Sequence, residues 1–261
     1  MPKLASQFAE PQLRSDDVLG LEEPLVTHAC LPAQSVVIWY VSLSTPQSRL
    51  VELERTLSPD ERARMSRYCF EHTRRAFTVS RASLRMILAG YCDVAAATLR
   101  FDHNAYGKPT LAAPLDHVHF NLSHSGDVAV VALSEDGAVG VDIERMRSVP
   151  DALDMARRFF SRGEFELLRE TSDHDRDRAF LTLWTRKEAC LKMLGRGLSL
   201  DSTLVDVTTP EKVTVVEQPD SVPGERLKRI CVQDVRVSSA HIAAVAMNGA
   251  GWSVDLRAFD G

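Results

Sequence analysis

The sequence predicts an α+β protein built from two pseudo-symmetric α/β halves that form an internal pseudo-dimer. Helical patterns and short β-branched runs follow one another along most of the 261-residue chain. The segment SGDVAVVAL at residues 125–133 resembles SAHIAAVAM at residues 239–247, and each segment follows a long predicted helix in its own half. A chain of this length is also long enough to bury a substantial core.

The N-terminal half is predicted to cover residues 35–137. Residues 1–34 carry mixed charge, several prolines and no clear period, so we expect an irregular N-terminal arm there. The half begins with a buried strand at residues 36–43, which are mainly β-branched or aromatic. Ser58 is the predicted N-cap of a helix with Pro59 at its first position. The remaining elements are a helix at residues 72–90 and two extended pieces around a turn within residues 118–133.

The C-terminal half is predicted to cover residues 138–261, with the active site in the cleft between the halves. It starts with a short strand at residues 138–143 that ends in acids, followed by helices at residues 151–170 and 177–194. Gly195 predicts the end of the second helix. The rest alternates like β structure, with strands predicted at residues 213–216, 229–237 and 242–247.

Composition limits the class of protein. Hydrophobic residues make up 44% of the chain and charged residues 26%, as in ordinary globular domains. The net charge of −5 argues against bulk nucleic-acid binding. Five cysteines without a CxxC pair favour free thiols in a reducing compartment. The polar N-terminus and the lack of a long apolar run favour a cytoplasmic protein without a membrane span, and the internal pseudo-dimer favours a monomer.

A pair of acids ends the strand predicted at residues 138–143. In the segment GVDIE, Asp142 and Glu144 are spaced i and i+2, so a strand presents both carboxylates on one face. Two carboxylates so close repel each other unless a cation lies between them, and oxygen ligands suit Mg²⁺. The alternative interpretation is a strand end that carries two solvated acids.

The helix predicted at residues 177–194 contains the segment WTRKEACLK. Trp184, Glu188 and Lys192 are spaced i, i+4 and i+8 and therefore share one face. In the functional interpretation, Glu188 is a third metal ligand, and Lys187 and Lys192 bind phosphates of a substrate. In the alternative, Glu188 and Lys192 form an ordinary surface pair.

Two further segments carry polar or basic groups. In FNLSHSG at residues 120–126, Ser123 and His124 lie at a strand-to-turn junction that suits a phosphate, or else form a polar turn. Lys108 lies on a tight turn in the segment YGKP. Eight arginines within residues 55–85 form either a solvated helix face or an RNA-binding face.

The order of these motifs resembles that of a known enzyme family. YGKP, FNLSHSG, GVDIE, RFFS and WTRKEACLKMLGRGL occur in this order in the Sfp-type 4′-phosphopantetheinyl transferases, and the similarity runs from about residue 58 to residue 200. The resemblance implies the 4′-phosphopantetheinyl transferase fold, with coenzyme A as substrate and Mg²⁺ bound between the halves. It also implies transfer of the phosphopantetheine arm to a serine of a carrier protein and release of adenosine 3′,5′-bisphosphate.

The resemblance also assigns roles to single residues. Asp142, Glu144 and Glu188 match the family's magnesium-site acids, and Lys187 and Lys192 match lysines near the pyrophosphate. The expected contacts at the nucleotide end of coenzyme A are Ser123, His124, Lys108 and Arg64.

One position departs from the family pattern. Ala76 stands where the family often has an arginine, and we expect Arg74 or Arg75 to replace that arginine at the coenzyme A site.

The expected chemistry is phosphoryl transfer to an alcohol, which depends mainly on positioning and charge neutralisation. Magnesium on the three acids would act as a Lewis acid on the pyrophosphate, and Lys192 would stabilise the leaving group. Glu188 is the candidate base, acting directly or through a metal-bound water. The candidate catalytic residues are therefore Asp142, Glu188 and Lys192.

By the same resemblance, an acidic acyl or peptidyl carrier protein is expected to dock near residues 146–170. Positive charge comes from Arg145, Arg147, Arg157 and Arg158, and apolar contact from Met146, Met155 and Phe159. Helix core is the alternative for Met155 and Phe159.

Three other functions are weighed against this one: a non-catalytic module that binds coenzyme A or a carrier protein, an RNA-binding protein, and another metal-dependent phosphotransferase or hydrolase. The presence of all three acids and both lysines argues against the first, and the acidic net charge argues against the second.

Overall fold

The computed structural model describes residues 31–196, 200–209, 214–215 and 230–260. Most of the predicted N-terminal arm lies outside the described residues, as do parts of the strands predicted at residues 213–216 and 229–237. The fold is mixed α+β, as predicted. Among the described helices, none is long and apolar enough to span a membrane.

The helices are α1 (Gln47–Glu54), α2 (Pro59–Met65), α3 (Glu71–Cys92), α4 (Ala152–Phe159), α5 (Arg162–Glu170) and α6 (Asp173–Leu194). The strands are β1 (Ser35–Ser42), β2 (Phe101–His103), β3 (Pro109–Leu111), β4 (His119–Ser125), β5 (Val128–Ser134), β6 (Val139–Arg145), β7 (Val205–Asp206), β8 (Thr214–Val215), β9 (Ile230–Val235), β10 (His241–Asn248) and β11 (Ser253–Phe259).

Two sheets lie face to face between two long helices. The first sheet has the order β11-β1-β5-β4 and the second has the order β6-β10-β9. One face of β1 and β5 packs against one face of β6 and β10 to form the central core. Helix α3 covers the outer face of the first sheet, and α6 covers the outer face of the second. The small hairpin β2–β3 forms a separate two-stranded sheet that packs on the core of the first sheet through Phe101 and Leu111.

The internal sequence similarity falls on the central strands of the two sheets. β5 lies between β1 and β4, and β10 lies between β6 and β9. Both strands are covered on both faces, which explains why each reads as an almost continuous run of valine and alanine. Each of the two sheets carries one 22-residue helix. The pseudo-symmetry of the two halves stays a prediction.

Several elements differ from the sequence prediction. The single helix predicted at residues 151–170 is wrong, because the chain leaves the helix at Phe160 and Ser161 caps a new one, α5. The Ser161 hydroxyl accepts the N–H of Glu164, and the Glu164 carboxylate accepts the N–H of Ser161, which is a capping box. The elements that were not predicted are α1, the two strands of the hairpin β2–β3, β7 and β11. Since β11 pairs in parallel with β1, the end of the predicted C-terminal half lies in the sheet of the N-terminal half.

Strand β6 and helix α6 touch backbone to backbone at Gly140. A Cβ atom at this position would lie 2.1 Å from the carbonyl oxygen of Ala189 and 2.3 Å from the amide nitrogen of Met193. Only glycine permits such an approach. Because side chains alternate along a strand, Asp142 and Glu144 then point to the same side as Gly140, toward α6.

We predict that Gly140→Ala lowers the free energy of unfolding by at least about 2 kcal/mol, since the added methyl group must displace the α6 backbone. Urea unfolding followed by circular dichroism measures this loss. Gly163→Ala is the matched control. Its Cβ would lie 3.3 Å from the Asp206 carboxylate and 3.8 Å from the Ser161 hydroxyl, which are side-chain atoms rather than backbone, and helical alanine is favoured over glycine. Equal losses in both variants would contradict the close-approach explanation.

Candidate active site

Polar side chains of β4 join it to β6 where the two sheets meet. The side-chain oxygen of Asn121 accepts the N–H of Val141 at 2.8 Å. Further along the same strand, the Ser125 hydroxyl accepts the N–H of Arg145 at 3.0 Å. Alternate residues of β4 therefore replace a backbone ladder with side-chain hydrogen bonds. We call this junction, formed by residues 121–125 and 141–145, the seam.

Asp142 lies at the centre of the seam, with a side chain that is only 7% exposed. Its Oδ1 atom accepts hydrogen bonds from the Ser123 hydroxyl at 2.8 Å and from the Lys192 ammonium at 2.6 Å. Lys192 also donates to the Ser123 hydroxyl at 2.9 Å. The other oxygen, Oδ2, is buried and has no hydrogen-bond partner among the described residues. Because an unpaired buried oxygen is unfavourable, this atom is suited to take a cation.

Glu144 and Glu188 complete an acidic cluster around Asp142. The Ser125 hydroxyl donates to Glu144 Oε2 at 3.1 Å. Burial, and then the negative charge of Asp142, raise the pKa of Glu144. Burial and the charges of Asp142 and Glu144 likewise raise the pKa of Glu188. The three acids from β6 and α6 therefore lie within electrostatic reach of one another, as the sequence spacing predicted.

The cluster has the chemistry of a divalent-cation site but not a closed geometry. In the described part of the chain, no three His, Cys, Asp or Glu side chains are arranged to hold a metal ion as they stand. The Lys192 ammonium lies on Asp142, where it supplies positive charge. Three carboxylates with one unpaired buried oxygen nevertheless match the hard oxygen ligands that Mg²⁺ prefers.

His124 lies apart from this cluster, although it was predicted as a phosphate contact together with Ser123. Alternation along β4 directs it to the face opposite Ser123 and Ser125. The imidazole is largely exposed. Partial burial and the positive charge of Lys192 lower the pKa of His124, so the ring is neutral at pH 7.

Lys187 does not face the acids either. Its ammonium lies 2.8 Å from the Glu164 carboxylate, and both side chains are at most 2% exposed. It also donates to the carbonyl oxygens of Ser202, at 2.8 Å, and of Val205. Since Glu164 in turn caps α5 at Ser161, Lys187 fastens α6 to α5 and to the start of β7. This geometry does not support the predicted contact of Lys187 with a substrate phosphate.

The predicted nucleotide contacts are spread over the other elements. The Lys108 ammonium donates to the carbonyl oxygens of Val139 and Met193, and burial lowers the pKa of Lys108 to about 8. Arg64 stacks over the Phe77 ring. With its neighbours it lines a cavity of about 500 Å³, whose lining residues are Asp60, Ala63, Arg64, Arg67 and Tyr68.

The two arginines expected to replace the family arginine at Ala76 have partners of their own. Arg74 pairs with Glu71 on the same helix. Arg75 donates to the Gln47 side chain and to the carbonyl oxygen of Thr45, both at 2.5 Å. In the structure, neither contacts the acidic cluster.

Two other arginines of the basic run bind Glu61. Arg81 and Arg85 each donate to its carboxylate at 2.6 Å, which fixes α2 on α3. An RNA-binding face would need these side chains in solvent, yet they are 18% and 2% exposed.

Helix α4 presents an exposed surface. Phe159 is 37% exposed, which disfavours the alternative that it forms helix core, although its ring packs edge-on against Trp184. Arg157 and Arg158 are exposed beside it, while Met155 is partly buried against the core.

Sequence reasoning missed the contribution of Asn121 and Ser125. The signal was present, because residues 121, 123 and 125 are small polar residues at alternate positions, in register with the acids at 142 and 144. The pairing of Lys187 with Glu164 had no such local signal.

Comparison with known proteins identifies the family of this chain. Residues 138–245 match the model of the 4′-phosphopantetheinyl transferase superfamily, and residues 44–136 match that of the 4′-phosphopantetheinyl transferase N-terminal region. The chain is 36% identical over 231 residues to 4′-phosphopantetheinyl transferase HetI of Nostoc sp.. The aligned region covers 88% of this chain and 94% of that protein. It is 33% identical over 168 residues to 4′-phosphopantetheinyl transferase Sfp of Bacillus subtilis, covering 63% and 72%. Over 242 residues it is 25% identical to the human L-aminoadipate-semialdehyde dehydrogenase-phosphopantetheinyl transferase, covering 86% and 78%.

Fold, motifs and comparisons together define a transferase. The chain belongs to the 4′-phosphopantetheinyl transferase superfamily and is an enzyme of that class.

We predict that Lys187→Met lowers the free energy of unfolding by about 3–5 kcal/mol, because it leaves the buried Glu164 carboxylate without its partner. Urea unfolding measures this loss. Arg169→Met, which removes an exposed partner of Glu166, is the control and should change stability by less than about 1 kcal/mol. A stable Lys187→Met protein with weakened coenzyme A binding would instead restore the phosphate role.

We also predict that Glu188→Gln stabilises the metal-free protein at neutral pH. The folded-state pKa of Glu188 is raised, so the wild type loses stability as pH rises from about 4.5 through that raised pKa, whereas the glutamine variant does not. Urea midpoints in chelator between pH 4 and pH 8 should diverge in favour of the variant. Glu170→Gln, at an exposed site, is the control. A difference that does not change with pH would contradict the prediction.

Proposed function

We propose that this enzyme transfers the 4′-phosphopantetheine arm of coenzyme A to a serine of an apo acyl or peptidyl carrier protein and releases adenosine 3′,5′-bisphosphate. Membership in the superfamily supports the reaction class. The observation that carries the proposal is the seam, where Asp142, Glu144 and Glu188 surround one unpaired carboxylate oxygen beside the Lys192 ammonium.

In this proposal, Asp142, Glu144 and Glu188 hold Mg²⁺. The raised pKa values of both glutamates support it, since burial and then the negative charge of Asp142 raise them, and a cation would offset both effects. Such an ion would supply Lewis-acid polarisation of the pyrophosphate.

Lys192 and Glu188 carry the remaining chemistry. Lys192 is 29% exposed and ends in a flexible point charge, so its ammonium can move from Asp142 to a phosphate and stabilise the departing bisphosphate. The raised pKa of Glu188 brings its proton affinity nearer to neutral pH, which suits a base for the carrier serine. Ser123, bonded to both Asp142 and Lys192, sets their orientation.

The nucleotide end of coenzyme A is assigned to the cavity beside α2. Arg64 and Arg67 offer positive charge to phosphate there, and Tyr68 offers an aromatic face. His124, Arg74 and Arg75 are assigned to the same end on family resemblance.

The carrier protein is assigned to the exposed end of α4. Phe159 supplies apolar contact, and Arg157 and Arg158 supply charge for an acidic partner. In this proposal the halves are residues 35–137 and 138–261, and the protein is a functional monomer in the cytoplasm. The central core between the two sheets supports a monomer.

The test is transfer itself. Purified protein, coenzyme A and Mg²⁺ are incubated with apo carrier proteins, which are then weighed by intact-mass spectrometry. We expect a gain of about 340 Da, the mass of the phosphopantetheine arm, which is lost on adding chelator. Asp142→Asn should lower the rate by at least about 100-fold, while Asp102→Asn, an exposed acid on β2, should not.

Other results would count against the proposal. Coenzyme A binding without transfer to any carrier would favour the binding-module function. Transfer by Asp142→Asn at the wild-type rate in chelator would remove the metal assignment.

A further inference from the structure

The Lys108 ammonium joins the two elements that carry the active-site groups. It donates to the carbonyl oxygen of Val139, the first residue of β6, at 2.9 Å and to that of Met193, in the last turn of α6, at 3.3 Å. Asp142 follows three residues after the first contact, and Lys192 directly precedes the second. Both contacts adjoin the close approach at Gly140. Val139 directly precedes Gly140, and Met193 is one of the α6 residues that a Cβ at Gly140 would meet.

The turn that carries Lys108 also holds the end of α6. The Asn104 side chain accepts the N–H groups of Tyr106 and Lys108 at 2.9 Å, which shapes the turn, and its amide donates to the carbonyl oxygen of Gly195 at 2.8 Å. Gly195 ends α6 in the left-handed conformation, with φ +65°. A Cβ there would lie 2.9 Å from the Asn104 amide and 3.0 Å from Lys108 Cδ. The turn thus packs directly on the helix end.

These contacts suit the charge at the end of a helix. The last carbonyl groups of a helix have no partners within it and carry partial negative charge, which a cation stabilises. Here the cation and the amide donor come from the β2–β3 connection, more than 80 residues away in sequence. Burial lowers the pKa of Lys108 to about 8, so the ammonium is still mostly charged at pH 7. It lies away from water and donates to the two carbonyl oxygens.

We propose that Lys108 and Asn104 are positioning residues that fix the last turn of α6 against β6, and so set the distance between Lys192 and the seam acids. This assignment replaces the nucleotide contact expected from family resemblance, and its kinetic part rests on the proposed transferase function. A shift of α6 by a fraction of a turn would separate Lys192 from Asp142 and Ser123 and misplace its ammonium for the reacting phosphate.

The test compares two variants with a control on the same hairpin. Lys108→Met removes the ammonium and keeps the stem. Asn104→Asp keeps the acceptor that shapes the turn but replaces the donor to Gly195 with a second acceptor. Thr110→Ala changes an exposed residue of β3. Circular dichroism confirms that each protein is folded.

The kinetic measurement separates positioning from binding. We expect kcat for carrier modification to fall about 10- to 100-fold in Lys108→Met and Asn104→Asp, as for a misplaced reacting group. The Kd for coenzyme A, measured by calorimetry, should stay within about twofold of wild type, since the nucleotide contacts assigned to the cavity beside α2 are unchanged. Thr110→Ala should match wild type in both. A large rise in Kd with kcat retained at saturating coenzyme A would overturn the proposal and restore Lys108 as a nucleotide ligand.

Hydrogen exchange in the substrate-free protein tests, independently of transfer, whether Lys108 and Asn104 fix the end of α6. We expect the amides of the last turn of α6, including the Gly195 N–H that donates to the Leu191 carbonyl, to exchange faster in both variants than in the wild type. In Thr110→Ala they should exchange at the wild-type rate. Unchanged exchange in both variants would overturn the proposal even if transfer is confirmed. If the wild type fails to modify any carrier, only the proposed function fails. The exchange result still decides whether Lys108 and Asn104 fix the end of α6.

Discussion

The close approach of β6 to α6 is the constraint on which the rest of the structure depends. Backbone meets backbone at Gly140, so the acid-bearing face of β6 and the helix that carries Glu188 and Lys192 lie one side-chain length apart. Contacts on the outer sides of β6 and α6 keep that separation constant. The first sheet packs on the opposite face of β6 through Val141 and Ile143, and the Lys187–Glu164 pair ties the far side of α6 to α5.

The same closeness makes the site electrostatically costly. Three carboxylates are drawn together on partly buried surface, and the pKa of each glutamate is raised as a result. Hydroxyl groups of β4 and one ammonium offset part of that repulsion. A site so arranged is less stable when empty than the fold around it, which is common where binding or catalysis requires concentrated charge.

Much of this arrangement follows from local rules. Strand alternation at residues 142 and 144 and helix spacing at residues 188 and 192 predicted which groups meet, and the Ser58 cap and the Gly195 stop lie where the sequence indicates. The same helix spacing places Lys187 on another face than Glu188, yet family resemblance assigned it to the phosphates. Its partner in the structure, Glu164, depends on how α5 packs, and no local pattern records that. The break at Phe160–Ser161 was overlooked although Ser161 and Glu164 form a local capping signal. Strand β11 was missed because its partner lies more than 200 residues away.

That last pairing has a consequence for how the protein is made. The strand that completes the first sheet, β11, is the last element of the described chain, and it lies against β1, one of the first. During synthesis, β1, β5 and β4 emerge from the ribosome and can associate with α3, but β1 keeps one open edge until residues 253–259 have left the exit tunnel. The order of translation therefore delays closure of the first sheet until the second sheet, with its acids and helix, has already been produced.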